Sequence, residues 1–195
     1  MKCKFTHAMK TIPAFLFIMM LTGCVSRKTS VAETIEPTGQ FDTKAILLGD
    51  LNNDKIADTA FVVGPKFLGQ EEAYGDCNNG KCSINVGFSG GQPALHFENA
   101  VGAQIENIGD IDKDGYAEIL IAPSWWVGCH GYIHVYSYKN DAWKHYGYAD
   151  NNVCGRDTLA EFITRIDGNI LTLEELVWDE QLEDYHEKPK AFIIQ

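Results

Sequence analysis

The apolar positions of this chain change rhythm twice. A first run, Ile12–Leu21, is almost purely apolar. A polar stretch follows from Val25 to Gln40 with no apolar period. Beyond it lie short segments in which apolar and polar residues alternate or β-branched and aromatic residues cluster: Phe61-Val-Val63, Ser83–Phe88, Ile119–Ala122 and Tyr132–Tyr138. Period-two alternation in runs of four to eight residues predicts strands. Gly and Asn clusters separate them at Asn78-Asn79-Gly80, Ser89-Gly90-Gly91, Lys139-Asn140-Asp141 and Asp167-Gly168-Asn169. Tyr132–Tyr138 and Trp143–Tyr148, joined by Lys139-Asn140-Asp141, read as one hairpin. Further strands are expected near Ile163–Ile166, Ile170–Leu173 and Ala191–Ile194. The one helical stretch expected is a short one around Leu159–Phe162.

The first apolar run explains the ends of the organisation. Lys2, Lys4 and Lys10 precede it without an acid, and Thr22-Gly23-Cys24 closes it. A basic start, a short apolar core and small residues before a cut make a secretory signal. The core is too short to span a bilayer, which takes about 20 residues as a helix. Leu21-Thr22-Gly23-Cys24 resembles the bacterial lipobox, and the resemblance implies cleavage before Cys24 and lipidation of its thiol. Two or three acyl chains anchor firmly where one would not. In Gram-negative lipoproteins an Asp after the cysteine resembles an inner-membrane retention signal. This chain has Val25 there, which favours the outer membrane. Residues 1–23 are therefore read as signal peptide, 24–40 as the lipidated cysteine with a flexible tether, and 41–195 as one domain.

Composition narrows the partners. Losing residues 1–23 removes three lysines and no acid, taking the formal net charge from −11 to −14. A domain this acidic does not suit nucleic acid. It suits divalent cations or a basic partner. Four cysteines remain in the domain: Cys77, Cys82, Cys129 and Cys154. An even count in an exported domain implies two disulfides with three possible pairings. Cys77–Cys82 reads as a tight turn closed by its own bridge, which leaves Cys129–Cys154.

The most informative pattern is an internal repeat. Gly49-Asp-Leu-Asn-Asn-Asp-Lys-Ile-Ala-Asp58 aligns with Gly109-Asp-Ile-Asp-Lys-Asp-Gly-Tyr-Ala-Glu118. Each follows an apolar segment and runs into an apolar strand. The spacing suits one supersecondary unit of about four strands. Oxygen-bearing side chains fall at loop positions 1, 3, 5 and 9: Asp110, Asp112, Asp114 and Glu118 in the second copy, Asp50, Asn52, Asp54 and Asp58 in the first. Position 7 (Tyr116 or Ile56) offers a backbone carbonyl. Such a set suits Ca²⁺, which takes six to eight oxygens at about 2.3–2.6 Å. An EF-hand is excluded, because its position-12 glutamate is replaced by Phe61 and Ile121 and strands flank the loop. Asx-rich turns also form without metal, but two clusters of the same spacing repel without a cation.

The loops resemble the calcium loops of FG-GAP/VCBS repeats from integrin-type β-propellers, Asp-x-Asp-x-Asp-Gly-x-x-Asp leading into a strand. The resemblance covers Ala45–Val63 and Ile105–Ala122. It implies structural Ca²⁺ and blade-like sheets. The first loop departs from it with Lys55 where glycine is usual and with Asn52, so it should bind more weakly. The domain is also too short for a full propeller, which needs at least four blades. The expected fold is all-β, a compact antiparallel domain of two to three blade-like sheets.

Trp125 and Trp126 follow the second repeat's strand. They suit either core packing beside a disulfide turn or contact with a sugar or protein partner. His134 and His145 read as packing or surface residues. The acidic stretch Asp179–Glu187 reads as a solvated loop or edge. No nucleophile–base motif, His-Glu-x-x-His or phosphate loop is present. The expected function is that of a lipid-anchored envelope module, facing the periplasm, that binds a protein or glycan, with an inhibitor or immunity protein as a special case. The alternative from another class is a calcium-dependent hydrolase of an envelope polymer.

Overall fold

A computed structural model of the protein describes residues 41–67, 77 and 82–195. The expected signal, the expected lipidation site Cys24, the expected tether and the expected turn at Asn78-Asn79-Gly80 lie outside the described residues. The described chain is all-β, with three antiparallel sheets and none closed into a barrel. The first sheet runs β1 (Phe41–Gly49), β2 (Asp58–Pro65), β3 (Ser83–Phe88) and β4 (Leu95–Glu98), paired in sequence order. The second repeats that meander with β5 (Gly102–Gly109), β6 (Glu118–Ser124), β7 (His130–Lys139) and β8 (Ala142–Asn152). A single 3₁₀ turn, Leu159–Phe162, leads into the third sheet: β9 (Ile163–Asp167), β10 (Ile170–Asp179) and β11 (Asp184–Ile193), with β10 in the middle. These match the blade-like sheets expected from the repeat.

Burial explains why the strands differ in pattern. In β2, Ala60 and Val62 are buried while Phe61 is exposed, as in a strand with one wet face. In β6, Glu118 through Pro123 are all buried. Ile119 and Ile121 enter one core with Leu51, Val62, Ile84 and Ile105. Leu120 and Ala122 enter a second core with Ile133, Leu159, Phe162, Leu171 and Phe192. The second sheet is thus covered on both faces, by the first sheet on one side and by the 3₁₀ turn and third sheet on the other. A strand dry on both faces reads as a continuous apolar run, which is how Ile119–Ala122 appears in the sequence.

The hairpin between β7 and β8 turns at Asn140 and Asp141, both left-handed at φ 53° and 59°. Two such residues make the turn type whose twist matches paired strands. Both disulfides pair as expected, Cys77–Cys82 and Cys129–Cys154. The second joins the start of β7 to the segment after β8, where Val153 N also donates to Cys129 O at 2.8 Å. The acidic stretch folds as the β10–β11 turn and the start of β11. Asp179 Oδ1 accepts from Gln181 N (2.8 Å) and Leu182 N (3.1 Å) to make that turn.

Candidate metal centre

The two loops joining β1 to β2 and β5 to β6 share the same set of backbone-amide bonds to their acidic and amide side chains. Each enters through a bulge at a left-handed glycine, Gly49 (φ 79°) or Gly109 (φ 83°). Asp50 Oδ1 accepts from Asp54 N (3.2 Å) and Oδ2 from Lys55 N (2.9 Å). Asp110 does the same with Asp114 N (3.0 Å) and Gly115 N (2.8 Å). Asn52 and Asp112 accept a second bond from the same position-5 amides, at 3.1 and 3.2 Å. Position 9 closes both loops: Asp58 Oδ2 accepts from Leu51 N at 2.9 Å and Glu118 Oε2 from Ile111 N at 2.7 Å. Position 6 is left-handed in both, Gly115 at φ 96° and Lys55 at φ 72°. The lysine therefore holds a conformation that costs a residue with a Cβ, as its departure from the glycine pattern implied.

The loops sit side by side. Asn107 Nδ2 donates to Leu48 O (2.6 Å), and Ala117 N donates to Leu51 O (3.4 Å). Their acids differ in what they gather. In the second loop, ligand atoms of Asp110, Asp112 and Glu118 all lie within 4.8 Å of one another. Among the described residues no other loop brings three acids together in this way. Glu118 is 0% exposed, and its Oε1 has no hydrogen-bond partner. A buried carboxylate oxygen without a donor is costly, and a cation is the partner that would satisfy it. Burial pushes the Glu118 carboxyl up to about 7. The Ile111 amide and Ser137 hydroxyl pull it down less, and Asp112 and Asp114 add to the rise. Burial and then the charge of Asp114 raise Asp112 as well. These groups repel when ionised together. An oxygen-only set suits a hard divalent cation rather than a soft one.

Asp114 stands apart from that triad. Its Oδ2 meets Lys139 Nζ at 2.5 Å and its Oδ1 accepts from Tyr116 N at 2.9 Å. Burial pushes its carboxyl up, but the Lys139 ammonium and the Tyr116 amide bring it below the ordinary value. The lysine comes from the end of β7 and neutralises one of the four acids expected to face a cation.

The first loop is poorer in charge. Asn52 Nδ2 donates to Asp54 Oδ2 at 3.1 Å, so one ligand position is an amide engaged with its neighbour. Asp58, 1% exposed, lies against Gly90, where an added Cβ would sit 2.1 Å from Asp58 Oδ1. Gln92 reaches the same space, and neither of its buried amide atoms has a partner. The loop motif alone pointed to neither residue.

The tandem tryptophans separate. Trp125, 43% exposed, lines a cleft of about 460 Å³ at the far end of β6 from the loops. Trp126 is half-buried and does not line that cleft. His134 and His145 do more than pack: His134 Nδ1 and His145 Nε2 lie 3.1 Å apart. Burial, then the neighbouring His145, lower His134 to about 4, which keeps it neutral. No protein-family profile matches this chain, and neither does any curated protein or solved structure.

Proposed function

We propose that this protein is a lipid-anchored component of the bacterial envelope, held through Cys24 in the outer membrane and facing the periplasm. Its all-β domain binds Ca²⁺ structurally and works by binding a protein or glycan partner. The observation that carries the calcium reading is the buried Glu118 carboxylate, which gathers with Asp110 and Asp112 and keeps its Oε1 unpartnered. The carbonyl of Tyr116 and water would complete the shell. In the first loop Asp50, Asn52, Asp54, Asp58 and the carbonyl of Ile56 form the weaker counterpart. The cation pins the entry to β6, the strand on which both cores rest, so its role is to hold the binding domain in shape.

Calorimetric titration of Ca²⁺ into the chelator-treated protein tests this. We expect uptake at the second loop that Asp112→Ala abolishes. A ligand that binds only the folded state at a hundred times its Kd adds about 2.7 kcal/mol. For a domain of this size that raises Tm by roughly 5–10 °C. No uptake, and no change in Tm on chelation, would make the loops simple turns. The anchor has a separate check. Cys24→Ser should move the protein from the membrane fraction to the soluble periplasm, and membrane retention of that variant would overturn lipidation.

A further inference from the structure

We infer that the cleft between β4 and β7 is a binding site for a neutral pyranose oligosaccharide. The inference rests on the reading of the domain as a binding module and names the chemistry of its partner. The cleft is floored by rings from two sheets. Phe97 of β4 lies 5.5 Å from the His134 ring and 6.4 Å from Tyr136. Tyr132 links His134 (6.4 Å) to Trp125 (6.4 Å), both edge to face. The result is a run of aromatic surface ending on the exposed Trp125. The polar groups on its rim come from His96, Glu98 and Asn99.

That combination selects among ligands. A pyranose presents an apolar C–H face and a belt of equatorial hydroxyls. Ring faces take the first, and a carboxylate, an amide and imidazoles take the second. The volume falls within the roughly 300–1,000 Å³ of small-ligand sites. A protein partner would instead need about 800 Å² of surface on each side. Glu98 and the acidity of the whole domain repel an anionic sugar. His134, neutral under its burial, offers no cation to draw one in. Among sugars, the class that fits is the uncharged oligosaccharide of two or three residues.

The test is a titration of the purified, calcium-loaded protein with maltotriose, cellotriose and tri-N-acetylchitotriose. Tryptophan fluorescence and calorimetry are the readouts, and tri-galacturonate is the anionic comparator. We expect at least one neutral trisaccharide to bind saturably with Kd in the millimolar range or tighter. Trp125→Ala should weaken it at least tenfold, and Glu98→Gln should weaken it severalfold. Both side chains are exposed, so the calcium-dependent rise in Tm should persist in each variant and report that the fold is intact. The inference is overturned if none of the neutral sugars binds, if binding ignores Trp125→Ala, or if the anionic sugar binds as well. Failure of the sugars with the calcium response intact removes this site alone. Loss of the calcium response removes the metal reading instead.

Discussion

In chelator at pH 8, Glu118→Gln will be more stable than the parent protein, and in saturating calcium the order will reverse. In the metal-free protein, burial raises the Glu118 carboxyl from its ordinary 4.5 to about 7. Between those values the folded state keeps a proton that the unfolded chain has released. Stability therefore falls as pH rises through that window. Glutamine mimics the protonated acid at every pH. Its amide oxygen can keep the Ile111 N–H bond, and its NH₂ can donate to the facing aspartates. The two proteins should match below about pH 4.5 and diverge until just above pH 7, with the variant then ahead by about 3–3.5 kcal/mol at roughly 1.4 kcal/mol per pKa unit. Calcium inverts this, because the cation needs the carboxylate that the variant lacks. His134 works in the opposite sense. Its lowered value means stability is lost as pH falls from 6.5 toward about 4. That term is common to both proteins and cancels in their difference. Thermal melts of the pair at pH 5, 6, 7 and 8, with chelator and with calcium, measure the crossover. Parallel profiles in chelator would show that Glu118 is not held as a buried, protonatable acid.

The repeat was legible because it is written in local spacing. Ligand positions, the left-handed residue at position 6 and the bulge glycines all act within ten residues, and the two loops reproduce each other's backbone-amide bonds. Most strands were legible because one face is buried, as at β2, or both, as at β6. β1 and β5 were read only as apolar segments leading into the loops, and β4 and the first half of β11 were not read at all. In β4 (Leu95–Glu98) only Phe97 is buried, and four residues with a histidine and a glutamate carry no visible period. The first half of β11 is polar because both its faces are wet. It is held by cross-strand pairs such as Trp178 with Tyr185, 5.1 Å apart, and the ion pair of Lys190 with Glu175 follows in the second half of the strand. Within the site, Lys139, Ser137, Gly90 and Gln92 were out of reach for the same reason. They arrive from strands β3 and β7 or the turns beyond them, and spacing within a loop says nothing about register across a sheet. His134 and His145 meet diagonally across β7 and β8, where Tyr136 faces His145 and His134 faces Tyr148. Only the pairing of the hairpin brings their rings together.

Phe162→Ala should cost about 3–5 kcal/mol, a large share of the 5–15 kcal/mol that holds a typical domain. Phe162 is 1% exposed and fills the second core between β6, β7 and the third sheet. The Arg156 guanidinium lies over its ring at 4.4 Å and reaches Glu174 Oε1 at 2.6 Å. Glu174 O in turn accepts from Asn151 Nδ2 of β8 at 2.8 Å. Removing the ring thus leaves a cavity and loosens the clamp that ties β8 to β10. The two acidic loops should not feel this equally. Leu51 of the first loop is anchored in the core between the first and second sheets, but Ile111 of the second is anchored in the core that Phe162 fills. Ile111 is also the residue whose amide holds Glu118. Phe162→Ala should therefore lower Tm by roughly 10 °C or more and weaken calcium at the second loop more than at the first. Saturating calcium should recover part of the lost stability, since it binds only the folded loop. Calorimetry and calcium titration of the variant read both effects. A separate low-temperature transition would mean that the third sheet melts on its own. Unchanged calcium affinity at the second loop would mean that Ile111 is held by its loop alone. Either result would break the link between this core and the metal centre.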